Sequence, residues 1–169
     1  VNTTARRLLT GALALYGAYD LTHLGRGSLL DSVDLAIHET GHLVFGPFGE
    51  VIQFAGGTIM QILMPAAFVV YFVRRSDRHA ASVALWWIAQ NCGNIAHYIA
   101  DAQAQELPLV GGGEHDWTYL LSHLGALGSD AAIARAVRFV GFLVLIVATA
   151  WGLASAKTSS EEEALAAAS

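Results

Sequence analysis

Residues 51–73 read VIQFAGGTIMQILMPAAFVVYFV, twenty-three consecutive positions without Asp, Glu, Lys or Arg. A run of about 18 or more such residues can cross the roughly 30 Å hydrocarbon layer of a bilayer as a helix. Two more runs follow, 21 residues between His79 and Asp101 and 18 between Arg138 and Lys157. A fourth apolar stretch, residues 8–24, carries Asp20 and His23 near its end. Only 14% of the 169 residues are charged, and the mean hydropathy is +0.48. A soluble domain has about a quarter charged residues. The expected fold is an all-α integral membrane protein, four to five membrane helices around one polar helix. Residues 1–156 form a single polytopic domain and 157–169 an acidic, solvated tail.

Punctuation refines this order. The spacing predicts a first helix over 8–24, broken at Gly25-Arg26-Gly27-Ser28. A second runs over 29–45, with Asp31, Ser32 or Asp34 as caps, and Gly46-Pro47-Phe48-Gly49 stops it. Residues 49–57 read as a short irregular piece closing at Gly56-Gly57. Spans follow over 58–73, 80–100 and 131–156. A polar connector, 101–130, holds a small helix over 117–124 capped by Asp116, with Trp117 and Tyr119 at headgroup level. Arg6 and Arg7 ahead of an apolar stretch also resemble a signal peptide, but the segment reads here as a membrane helix. His79 and His123 read as interfacial.

The net charge of −5 gives no reason to expect nucleic acid binding. Cys92 is the single cysteine, so no disulfide forms within the chain, and it packs as a small apolar side chain. Arg74, Arg75 and Arg78 favour a cytoplasmic turn, and Arg6 and Arg7 a cytoplasmic N-terminus. Both hold only if the second helix and the segment after it enter and leave by the same side.

That second helix is too polar to face lipid. It carries Asp31, Asp34 and His38-Glu39-Thr40-Gly41-His42, and ionisable groups at membrane depth face the bundle interior and mark function. On a helix, positions i and i+4 share a face, so His38 and His42 can bind one metal ion. Glu39 is placed as the general base acting on the metal's water. A catalytic zinc takes three protein ligands and keeps an open position. Glu114, His115 and Asp116, after Gly111-Gly112-Gly113, offer candidates for the third. Asp34, or Asp20 with His23, can orient the ligating imidazoles. Asn91 and Asn94 share a face of one span, where hydrogen bonds between helices are the plain reading.

With His38-Glu39-Thr40-Gly41-His42, Ala55-Gly56-Gly57-Thr58-Ile59-Met60-Gln61 and Asn94-Ile95-Ala96-His97-Tyr98-Ile99-Ala100-Asp101-Ala102 in this order, the chain resembles the site-2-type intramembrane zinc metalloproteases. The resemblance implies Asp101 as third zinc ligand, Asn91 or Asn94 on substrate backbone, and a membrane-protein substrate. The second element lacks the family's proline, and the third lacks both of its prolines. A non-catalytic reading stands beside it, an accessory subunit stabilising a larger membrane complex such as a respiratory or photosynthetic assembly. Haem or pigment ligation through His97 or His23 is a third. A bacterial inner membrane is the expected location.

Overall fold

The computed structural model describes residues 2–109 and 113–167, the last eleven as backbone alone. Six α-helices account for most of them, and no strand occurs among the described residues. They are α1 (Thr3–Thr22), α2 (Asp31–Phe45), α3 (Glu50–Arg74), α4 (Arg78–Ala100), α5 (Asp116–His123) and α6 (Asp130–Ala167). Two meet the length and apolarity needed to cross a bilayer, Glu50–Arg74 and the stretch Leu127–Ala156.

Helix α4 is the centre, because small residues let its neighbours approach closely. On α1, Gly17 lies under the Trp86 indole. On α6, Gly141 faces Cys92, and a Cβ there would stand 2.9 Å from the Cys92 Cβ. Leu21, Trp86, Ala89, Leu145 and Ala148 form one core. Ile95, Ile99, Ala102, Leu121 and Ala134 form a second beneath α5. These contacts fix directions. Thr10 meets His79 and Leu21 meets Gly93, so α1 and α4 run parallel. Gly141 meets Leu21 and Gly152 meets Thr10, so α6 runs against both. Helix α3 returns antiparallel to α4, with Gln61 on Asn91 and Phe68 on Trp87. One end of the bundle therefore gathers Arg6, Arg7 and the Arg74–Arg78 turn. The other gathers the ends of α1 and α4, the start of α3, and α5.

Helix α2 makes no full crossing: it starts level with the middle of α4, where Ser28 meets Gln90 and Asp34 meets Trp87, and finishes at that second end. Asp31 accepts from Asn94 Nδ2 at 3.4 Å, while the Gly46–Phe48 turn and Gly49 lead directly into α3. Gly49 has φ 101°, a left-handed value that glycine adopts without strain. The outward faces are apolar: Leu8, Leu15, Phe139 and Ile146 are each more than 60% exposed. Soluble monomers rarely show apolar surface so extended.

Several expected boundaries move. Residues 49–57 are helical, and Gly56-Gly57 lies inside α3, because those glycines serve packing rather than a turn. A Cβ on Gly41 would strike the Gly56 carbonyl, and one on Gly56 would come within 2.8 Å of the Gly41 oxygen. No side chain caps α2; Asp31 instead accepts from the Ser28 N–H at 2.7 Å. The cap of α5 is His115, whose Nδ1 accepts from the Thr118 N–H, rather than Asp116. His79 is buried, bonded to Thr10 and to the Arg6 carbonyl, not interfacial. The α6 backbone stays helical through residues 157–167 of the expected tail. Gly111 and Gly112 lie outside the described residues.

Candidate metal centre

His38 and His42 project from one face of α2 toward the same point, their rings 4.8 Å apart at 75°. Each has its Nδ1 occupied. His38 Nδ1 donates to Gln61 Oε1 at 2.9 Å, and His42 Nδ1 donates to the Gln53 carbonyl at 2.8 Å. This leaves both Nε2 atoms as bare acceptors. Both face Asp116 Oδ2, at 2.8 Å from His38 and 3.2 Å from His42. Three acceptors so close repel one another unless positive charge sits among them. That charge is either an extra proton on the rings or a metal ion. The three residues, with ligand atoms within 4.8 Å of one another, form a group able to hold a metal ion. Two imidazoles and a carboxylate are also a donor set suited to a divalent transition metal.

The supports are specific. Gln61 is 3% exposed and donates from Nε2 to Asn91 Oδ1 at 3.2 Å and Asn94 Oδ1 at 3.0 Å. That amide pair fixes which end of Gln61 faces His38. Gly57 lies flat against the His38 imidazole, where any Cβ would collide with the ring. Tyr98 packs edge-on to His38 at 5.7 Å, and its hydroxyl accepts from the Asp116 N–H at 3.3 Å. Burial pushes the Asp116 carboxyl upward, but with the two rings protonated their hydrogen bonds outweigh it and hold it below the usual carboxylate range.

Asp101 is not beside the histidines. As the residue ending α4, it accepts from the backbone N–H groups of Glu106 at 2.9 Å and Leu107 at 3.1 Å. Its Oδ2 also lies 3.4 Å from His115 Nε2. It therefore braces the strap that delivers Asp116, and the carboxylate at the centre is Asp116, 78 residues beyond His38. His115 is buried but turned away, its ring packed on Tyr98 at 4.2 Å, and burial pushes its imidazole downward, toward the neutral form.

The remaining candidates separate. Glu39 lines two clefts that meet at His38. One, about 360 Å³, is walled by Asp20, Asp31, Asn94, His97 and several leucines. The other, about 400 Å³, is walled by His42, Glu50, Gln53, Glu114 and Asp116. Glu114 stands exposed at the rim of the second. Asp34 does not orient either histidine; it is fully buried and accepts from Trp87 Nε1 at 2.8 Å. Asp20 reaches only the first cleft, and His23 is exposed, stacked on Tyr19. The partners of the ligating rings are thus Gln61 and a backbone carbonyl, neither singled out from sequence for that task. The Gln61 amide in the charge-free run was the available signal, since polar groups in such runs seek partners, and nothing in sequence marks a backbone carbonyl.

No family model matches this chain, and neither the curated proteins nor the solved structures hold a match to it.

Proposed function

We propose that this protein is a zinc-dependent intramembrane peptidase, with His38, His42 and Asp116 holding the metal and Glu39 acting as general base. The convergence of both bare Nε2 atoms on Asp116 Oδ2, beside Glu39 and at the meeting of two clefts, carries this reading. Zinc in such a site supplies Lewis-acid polarisation of a carbonyl and acidifies water. The chain supplies the rest. Glu39 takes the proton of the attacking water and passes it to the leaving amine. Tyr98 lines both clefts, with its hydroxyl near the reacting region. Gln61 and the Gln53 carbonyl hold the imidazoles in the tautomer that keeps Nε2 free. Apolar outer faces and two bilayer-length helices support a membrane setting.

Elemental analysis of the detergent-purified protein tests the metal. About one zinc per chain in the wild type and none in His42→Ala is the expected result. Glu39→Gln should keep the zinc and lose cleavage of a membrane-helix substrate. Full cleavage by Glu39→Gln would remove the general base, and the peptidase reading with it. A metal-free wild type held tightly in one stoichiometric complex would point to an accessory subunit instead.

A further inference from the structure

The two ends of the bundle differ in charge. Arg6, Arg7, Arg74, Arg75 and Arg78, five of the eight arginines in the chain, collect at one end. The His79 bonds to Thr10 and to the Arg6 carbonyl tie the start of α1 to the start of α4, so both basic clusters lie on one side. The other half carries nine of the fourteen acidic residues: Asp20, Asp31, Glu39, Glu50, Asp101, Glu106, Glu114, Asp116 and Asp130, while Asp34 lies at mid-depth, bonded to Trp87. Only Arg26, Arg135 and Arg138 accompany them. Orientation in membranes follows Lys and Arg near helix ends, which are retained on the cytoplasmic side. Because α2 starts at mid-depth and finishes at the acidic end, it makes no crossing of its own, and with α1 and α3 taken as crossings α1 is the first and α3 the second. The two basic clusters then agree on a single orientation.

We infer that the candidate metal centre opens on the non-cytoplasmic face and acts there on a polypeptide segment. This rests on the peptidase reading for the chemistry but not for the orientation. The occupant follows from the clefts. His38, Glu39, Tyr98 and Leu109 line both, so the two clefts adjoin at His38 and Glu39, with His42 and Asp116 on the second. A chain can therefore continue to either side of the reacting bond. Each cleft falls within the roughly 300–1,000 Å³ usual for ligand sites. Carboxylates line both, Asp20 and Asp31 on one side and Glu50 and Glu114 on the other, and among the described residues neither contains Lys or Arg. The two clefts accordingly favour segments with cationic side chains over acidic ones.

Single cysteines test the orientation in a Cys92→Ser background expressed in bacterial cells. A membrane-impermeant maleimide should label Glu106→Cys in intact spheroplasts and label Arg75→Cys only after permeabilisation. The reverse pattern, or recovery of the protein in the soluble fraction, overturns the inference. For the occupant, a fluorescent lysine-rich unstructured peptide is added outside spheroplasts carrying zinc-loaded Glu39→Gln. It should bind about tenfold more tightly than its glutamate-substituted counterpart. Equal binding of the two, or no binding, overturns the choice of substrate. Absence of hydrolysis by the wild type, with labelling and binding as expected, would sink the peptidase reading and leave the orientation in place.

Discussion

At the scale of single residues, two carboxylates compete for one role, and geometry separates them. Asp116 faces both Nε2 atoms, whereas Asp101 holds backbone N–H groups of the strap. Asp116→Ala should abolish stoichiometric zinc. Asp101→Ala should keep one site but weaken it by about 10–100-fold, as loss of an indirect support does. Metal titration with a competing chromophoric chelator distinguishes them, and equal losses would contradict this assignment. Gln61→Leu should cost affinity in the same range, since the His38 Nδ1–H loses its acceptor. Gln61→Glu, which still accepts there, should recover part of it. The pair His38 and His42 was legible in sequence because i, i+4 spacing is local. Which candidate would complete the set was not, because nothing local relates residue 116 to residue 38. Three candidate ligands in a row, Glu114 to Asp116, differ only in the direction a cap geometry gives them.

At the scale of elements, the α2–α3 pair works because glycines replace side chains at the crossing. Gly57→Ala forces a methyl into the His38 ring and should cost about 1–3 kcal/mol, as overpacking does. Gly11→Ala on α1 meets open space and should stabilise by up to about 1 kcal/mol through helix propensity. Thermal unfolding in one detergent compares the two, and similar shifts would refute the packing argument. The same glycines misled the sequence reading of residues 49–57, since Gly56-Gly57 looks identical whether it ends a helix or lets another backbone in. The strap is a second element with a consequence. Chelation of a metal held there would leave Asp116 facing two imidazoles alone and should loosen α5. Digestion by a glutamyl endopeptidase at Glu106 and Glu114 should then accelerate in EDTA. An unchanged rate would show that Phe54 stacked on Tyr119 at 4.0 Å holds α5 without help.

At the scale of the whole molecule, the helical character was readable because charge-free runs are long and their charged borders sharp. The runs at 51–73 and 139–156 became parts of α3 and α6. Whether α2 makes a full crossing was not readable. That depends on a tertiary crossing, and the sequence left the two basic clusters in apparent conflict. The bundle reconciles them, since α2 reaches only mid-depth and makes no full crossing. With outward Leu8, Leu15, Phe139 and Ile146 in lipid, the protein should remain in the pellet after alkaline carbonate extraction. Release into the supernatant would contradict a bilayer-spanning bundle.

The burial of Asp34 bears on how such a chain is made. Its carboxylate is fully enclosed and its hydrogen-bond donor, Trp87, is synthesised 53 residues later. A nascent α2 meets lipid with no partner for that charge, and isolated carboxylates partition poorly into hydrocarbon. In a bilayer, helix α2 would therefore wait at the interface or inside the insertion machinery until α3 and α4 had emerged. The sixteenth residue of the strap region beyond α4, Asp116, arrives later still. A metal held by His38, His42 and Asp116 would thus be captured only after the last of the three had left the ribosome.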